Sequence, residues 1–181
     1  MVKKIITAAL LTAAPLMASA ASSGHLVAGA DYLNIQIGDG DGQTISMNVA
    51  ALTVGYPMYY GKVFRLTPEV RFGQGIGSDE YNAAGTSMDF EVSSFSSFAL
   101  RTEMDLTNQF YIFATPAISY LDLKGSVNYG SGTFEASADG SDFTFGAGLG
   151  FKLTDRISTE VRYEAFDEET DVYNIGLRMN F

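Results

Sequence analysis

The 181-residue sequence predicts an all-β protein: eight antiparallel strands closed into a transmembrane up-and-down barrel, residues 21–181, behind a cleaved signal peptide, residues 1–20. Three observations point there. Apolar and polar residues alternate with period two through most of the chain, which is the mark of strands with two unlike faces. Most of these segments run about ten residues or more, the length that crosses a bilayer at a tilt (about 9–11), whereas strands of soluble sheets are nearer five or six. Finally, one face of several segments collects glycine, arginine and glutamate while the other collects aromatics and aliphatics.

The leader comes first. Lys3 and Lys4 precede the apolar run "IITAALLTAAPLMA", and "ASA" follows at Ala18 to Ala20. These are the charged region, the apolar region and the small-residue cleavage site of an export signal. Cleavage is expected after Ala20, with Ala21 as a near alternative. The run is short and rich in Ala and Thr for a membrane anchor, and no Cys follows it to make a lipoprotein. The chain has no cysteine at all, so disulfides, a thiolate nucleophile and Cys-ligated zinc are excluded. Its net charge of −10 becomes −12 when the two leader lysines are removed, a poor balance for binding nucleic acid, where phosphates demand Lys and Arg. After the leader no apolar run is long enough for a transmembrane helix.

In order, the strands are expected over residues 26–37, 45–56, 63–73, 90–104, 110–122, 142–153, 157–166 and 171–181. Four alternate cleanly. In the third, Phe64, Leu66, Pro68, Val70 and Phe72 oppose Arg65, Thr67, Glu69 and Arg71. In the sixth, Phe143, Phe145, Ala147, Leu149, Phe151 and Leu153 oppose Thr144, Gly146, Gly148, Gly150 and Lys152. In the seventh, Ile157, Thr159, Val161, Tyr163 and Ala165 oppose Ser158, Glu160, Arg162, Glu164 and Phe166. In the eighth, Tyr173, Ile175, Leu177, Met179 and Phe181 oppose Asn174, Gly176, Arg178 and Asn180. The other four are less regular. Phe95, Tyr111 and Phe113 fit neither face well, and a bulge is expected to shift register near them. Pro68 and Pro116 sit inside strands without a ladder donor, so a bulge or a missing bond is expected at each. Connections around 57–62, 105–109 and 154–156 are short. Those around 38–44, 74–89, 123–141 and 167–170 are longer or more polar, and an even strand count puts both termini at the short-turn end.

Period two does not say which face looks inward. A soluble lipocalin-like barrel would enclose the apolar face; a membrane barrel would enclose the polar one. Gly146, Gly148 and Gly150 favour the second, because glycine weakens a solvated strand but makes room inside a narrow barrel. Charge favours it too. The polar faces hold Arg65, Glu69, Arg71, Arg101, Glu103, Lys152, Glu160, Arg162, Glu164 and Arg178, whereas the connections are acidic: Asp39, Asp41, Asp79, Glu80, Asp89, Glu135, Asp139, Glu168 and Glu169. An enclosed lumen collects cations because buried carboxylates need partners. Aromatic residues gather near the short turns, at Tyr56, Tyr59, Tyr60, Phe110 and Tyr111, as an interfacial girdle requires.

The chain ends on Phe181 after Tyr173, Ile175, Leu177 and Met179 at every second position, which resembles the signal that outer-membrane proteins present to the barrel assembly machinery. The ending "STEVRYEAFDEETDVYNIGLRMNF", with "LTVGYPM" and "FGAGLGFKLTDRISTEVRYEAF", resembles the OmpA-like and OmpX/opacity-type outer-membrane β-barrel family over essentially the whole mature chain. That resemblance implies a small monomeric barrel in the Gram-negative outer membrane, among lipid and lipopolysaccharide, in a family with structural, adhesive and serum-resistance members. The chain stops at the barrel, so no peptidoglycan-binding domain is expected.

Chemistry is sparse. Barrels of this size that modify lipid A rely on His, and the single histidine, His25, falls just after the leader, so no enzyme, catalytic residue, metal or cofactor is expected. "GDGDGQ" at Gly38 to Gln43 lacks the spacing and final Glu of a calcium loop and reads as a turn. The expected function is structural or surface-interacting, with the acidic connections 74–89 and 123–141 meeting a host, phage or neighbouring cell. A small passive channel gated by the lumenal charges is the alternative, and a soluble periplasmic binder the second.

Overall fold

In the computed structural model, residues 26–38, 44–60, 64–83, 86–129, 132–166 and 169–181 are described. The leader with Ala18 and Ala20, His25, and Asp39 and Asp41 of the "GDGDGQ" turn lie outside them. The described residues form ten strands: β1 (Val27–Gly38), β2 (Thr44–Gly55), β3 (Met58–Tyr60), β4 (Phe64–Gly75), β5 (Ser78–Ala83), β6 (Thr86–Asp105), β7 (Phe110–Tyr129), β8 (Gly132–Lys152), β9 (Ile157–Ala165) and β10 (Thr170–Asn180). Each pairs antiparallel with its neighbours, and β1 pairs with β10 from Val27↔Asn180 to Ile37↔Thr170, which closes the ring. β3 continues the line of β2, and β5 continues that of β4, so the closed barrel has eight staves.

Both prolines interrupt ladders without shifting register. β2 pairs with β4 as far as Gly55↔Glu69, and β3 resumes at Met58↔Leu66 in the same register, the gap falling at Pro57 and Pro68. Pairing of β6 with β7 skips from Ala99↔Ala117 to Thr102↔Ala114 around Pro116, again in register. Both are missing ladder donors. The register shift lies elsewhere, between Val92 and Ser94 of β6. Phe95 shares the inward parity of Ser97, Ala99, Arg101 and Glu103 and is 1% exposed, and the bulge lets Val92 beyond it point inward as well.

Apart from β6, where the bulge shifts it, the faces of the described strands keep their parity, but their polarity inverts part-way. On β1, Ala28 and Ala30 face out and Asp31 faces in; beyond Tyr32, Asn34 and Gln36 face out and Leu33 and Ile35 face in. Across that level Tyr32 donates to Asn48 at 2.8 Å, and Asn34 donates to Ser46 at 2.8 Å and to Asn48 at 2.9 Å, a polar outer ladder. Tyr120 and Tyr163 mark the same level on β7 and β9, donating to Asp139 at 2.9 Å and Asp171 at 2.6 Å. Such tyrosines suit a membrane boundary, ring in the apolar layer and hydroxyl in the polar one. Below it the outer face carries Phe72, Phe98, Ile118, Phe145, Leu149, Val161, Ile175 and Leu177, all exposed. Above it the strands need a core of their own. Leu33, Ile35, Met47, Val49, Ala51, Val92, Phe95 and Val172 pack inside the barrel as that core.

This inversion accounts for the irregular alternation of the first and second segments and, together with the bulge, of the fourth. It also corrects the connection lengths. Residues 74–89 and 123–141 are mostly strand: β6, β7 and β8 run for 20, 20 and 21 residues, well past the membrane boundary. Beyond that boundary the outer face turns polar, and on β8 the inner face turns to the small residues Ala136, Ala138 and Gly140, so the segments resemble loops when judged by the bilayer's width alone.

Candidate functional site

Two regions carry chemistry: the charged half of the lumen and the strands that project beyond the barrel. The lumen is best followed from the end that holds both termini. There a cavity of about 330 Å³ is lined by Arg65, Glu103, Asp105, Tyr111, Lys152 and Arg178 among others. Lys152 pairs with Asp105 at 2.7 Å and Arg65 with Glu103 at 3.0 Å. One layer deeper, Arg101 spans Glu103 at 3.1 Å and Glu160 at 2.6 Å, and Arg178 reaches Glu69 at 2.5 Å and Glu160 at 3.6 Å. Arg162 stands among three carboxylates, Asp31, Glu69 and Glu164, at 3.7–3.8 Å. At the top Arg71 donates to both oxygens of Glu164, at 2.7 and 2.9 Å, and both side chains are wholly buried.

Inward aromatics complete these layers, and inward glycines make room for them. The Tyr111 hydroxyl donates to Glu160 at 2.6 Å and lies 2.9 Å from Ser158 Oγ. A side chain at Gly150 would collide with the Tyr111 ring, and one at Gly148 with the Phe113 ring. Arg101 lies over Phe113 with its guanidinium carbon 3.6 Å from the ring centroid. Gly176 plays the same part for Asp31, whose carboxylate occupies the space a Cβ would need. Tyr111 therefore belongs to the lumen and not to the interfacial girdle expected of it. Tyr56 and Phe110 do face outward.

The ten charged residues singled out by sequence comprise six cations and four anions. The structure puts all ten on the inner face and adds Asp31 and Asp105, which makes six of each. Near-neutrality is what a low-dielectric lumen requires. The surplus of two cations was itself the signal that two acids were missing. Asp31 is hidden by its neighbours Leu33 and Ile35, and Asp105 by its place at a strand end.

The second region is an arm made of the far ends of β5, β6, β7 and β8. β7 pairs with β8 from Phe110↔Phe151 to Tyr129↔Gly132, but β9 pairs with β8 only from Phe145↔Ala165 downward. Every residue from Phe134 to Phe143 is exposed, on both faces. On the polar face Asp122 stands opposite Asp139, and Glu91 opposite Lys124; on the other face Leu123 stands opposite Ala138, and Phe90 opposite Gly125.

At the terminal end Tyr173, Ile175, Leu177 and Met179 line the outer face of β10, and the Phe181 amide donates to the Leu26 carbonyl at 2.9 Å. Comparison with known proteins agrees with this architecture. Among solved structures the chain is similar to Ail, the attachment invasion locus protein of Yersinia pestis, with 14% identity, 87% of this chain and 99% of that one covered, and a TM-score of 0.61. It is also similar to Neisserial surface protein A, with 14% identity, 86% and 97% covered, and a TM-score of 0.57. Ail in complex with the heparin analogue sucrose octasulfate gives 16% identity, 87% and 99% covered, and a TM-score of 0.58. No curated protein matches the sequence. The family model for the outer membrane protein beta-barrel domain matches residues 6–181. With an apolar belt facing out, ion pairs within and a ring closed by its first and last strands, this chain belongs to the outer membrane protein beta-barrel family and resides in the outer membrane.

Proposed function

We propose that this barrel is a surface-interaction protein whose arm meets molecules outside the cell, while the lumen serves to brace the fold. The arm carries the reading: regular β-structure stands clear of the lipid belt with an open edge and a carboxylate-rich outer face. A barrel that only spanned the membrane would have no use for strands that outrun it by about ten residues. The neighbours' names speak of attachment and of the surface, but at 14% identity they carry the fold alone. The polyanion bound by Ail in its complex is the wrong sign for this arm, where Asp89, Glu91, Asp122, Glu135, Asp139 and Asp142 face one lysine, Lys124. Lipid and lipopolysaccharide surround the belt, the assembly machinery reads the strand that ends at Phe181, and the barrel works as a monomer.

Enzymatic action has no support in the lumen. Among the described residues its charged groups are cation–carboxylate pairs, with hydroxyls such as those of Tyr111, Ser158 and Thr144 beside them and no imidazole, and a hydrolytic nucleophile needs a base within reach. A channel role would draw on the ion pairs, but the apolar core of Leu33, Ile35, Met47, Val49 and Phe95 stands above them.

The test is a deletion strain assayed together for adhesion, serum survival and permeability, then complemented with the full chain or with a chain whose residues 121–142 are replaced by a short turn. Restoration by the full chain alone supports the reading. Equal restoration by both chains defeats it.

A further inference from the structure

We propose that the outer face of β1, β2 and β10 holds one glycolipid of the outer leaflet. Its uncharged sugar head rests on the polar ladder at the membrane boundary, and one acyl chain lies in a furrow along β1 below. β1 stands opposite β7 in the ring of eight staves, so this site lies across the barrel from the arm and does not depend on the arm's role.

Three observations carry it. First, the ladder is rich in amides and hydroxyls and is already set in place. Strand pairing puts Asn48, Asn34 and Tyr173 in one outward row, and Ser46, Gln36 and Asp171 in the next. Gln36 donates to Asn34 at 3.0 Å, Asn34 donates to Ser46 and Asn48, and Tyr163 reaches Asp171 from β9. These bonds leave the Asn48 amide nitrogen, Gln36 Oε1 and Asp171 Oδ2 without a partner among the described residues. One donor and two acceptors on three adjacent strands suit neighbouring sugar hydroxyls, each of which both donates and accepts. The rings of Tyr32 and Tyr173 stand about half exposed beside them and offer apolar surface to the C–H face of a sugar.

Second, the charge is wrong for a phosphate. Among the described residues of β1, β2, β9 and β10 the outward face carries no Lys or Arg, because Arg162 and Arg178 point into the lumen. A phosphate here would find no cation and would meet the Asp171 carboxylate, whereas phosphate sites are built from Arg and Lys. The head is therefore uncharged.

Third, the belt below the ladder has a furrow that leads to it. Ala28 and Ala30 of β1 face out and form its floor. Val54 and Leu52 of β2 stand beside them on one side, and Met179 and Leu177 of β10 on the other. The walls belong to strands about 10 Å apart, twice the spacing of neighbours, which leaves room for one hydrocarbon chain. The furrow runs up to Tyr32, and the next outward residue is Asn34. A chain lying in it brings its own head group onto the ladder. This continuity with the lipid belt fixes the source of the sugar, because a glycan arriving from water has nothing to place in an apolar furrow.

The test uses the full barrel in phosphatidylcholine nanodiscs that contain a rising minor fraction of digalactosyl diacylglycerol, an uncharged glycolipid. Native mass spectrometry then counts the lipids that stay with each released barrel. One glycolipid per barrel should be retained, saturably and in preference to phosphatidylcholine. Gln36→Ala combined with Asn48→Ala should raise the glycolipid fraction needed for half-saturation about tenfold. Ala30→Phe, which fills the furrow and leaves the ladder intact, should raise it about as much. These positions lie on the outer face, and unchanged heat-dependent mobility in gels certifies the fold. Retention no better than that of phosphatidylcholine would overturn the proposal, as would preference for anionic phosphatidylglycerol. Displacement by free digalactose at matching concentration, with no effect of Ala30→Phe, would assign the ladder to a soluble glycan instead. Pairs of barrels that Ala30→Phe separates would assign this face to a second copy, and the glycolipid site would fall.

Discussion

Arg71 lies beneath Phe95, its guanidinium carbon 5.1 Å from the ring centroid, at the level where the lumen changes from ion pairs to aliphatic packing. Below this contact every layer is held by carboxylates; above it are Leu33, Ile35, Met47, Val49 and Val172. An ion moving through the barrel would meet a polar half and then a dry one. We propose that the apolar half is the seal. Planar bilayers containing the barrel should show no unitary conductance steps, and Glu160→Gln should leave them silent. Leu33→Ala combined with Phe95→Ala should open steps. Steps from Glu160→Gln with none from the double variant would assign the seal to the ion pairs instead.

The pair formed by Arg71 and Glu164 is wholly buried, and Glu164 also lies 3.4 Å from Thr144 Oγ1. Removing one partner leaves a charge without compensation. Glu164→Gln should cost about 3–5 kcal/mol in urea unfolding of the barrel in lipid vesicles. Replacing both, as Arg71→Met with Glu164→Leu, should cost far less, because neither charge then needs desolvating. A double variant as unstable as the single one would mean that the pair itself, rather than its balance, holds the strands.

Gly150 and Tyr111 face each other across β7 and β8, and a methyl at Gly150 would enter the tyrosine ring. Gly150→Ala should destabilise the barrel by about 1–3 kcal/mol through overpacking. Tyr111→Leu removes the obstructing ring and one hydrogen bond to Glu160, so Gly150→Ala made in that background should cost much less than in the native chain. Equal costs in both backgrounds would show that the glycine is retained for some reason other than the ring.

The barrel and its strand order were legible in the sequence wherever the inner face was charged and the outer face apolar, as in β4, β9 and β10. They were less legible where one strand serves two solvents. β1 encloses Asp31 and Leu33 two residues apart on the same face, so no single polarity rule assigns both. The arm was read as loop because a strand in water beyond the bilayer loses the apolar outer face that marks it. Phe113 and Tyr111 looked misplaced because the inward glycines that admit them, Gly148 and Gly150, lie on the neighbouring strand, about forty residues along the chain.

Leu149 and Ser137 share the outward face of β8, and the level of Tyr120 and Phe143 separates them. If that level is the membrane boundary, the same substitution has unlike costs at the two positions. Leu149→Arg places a guanidinium in the lipid belt and should cost about 2–4 kcal/mol in vesicle unfolding, whereas Ser137→Arg meets water and should cost about 0–1 kcal/mol. Arginine at Tyr120, midway between them, should fall between the two values. Flat costs along β8 would move the boundary to the tip of the arm and return these strands to the membrane. A steep drop between Leu149 and Ser137 leaves the arm outside, in water.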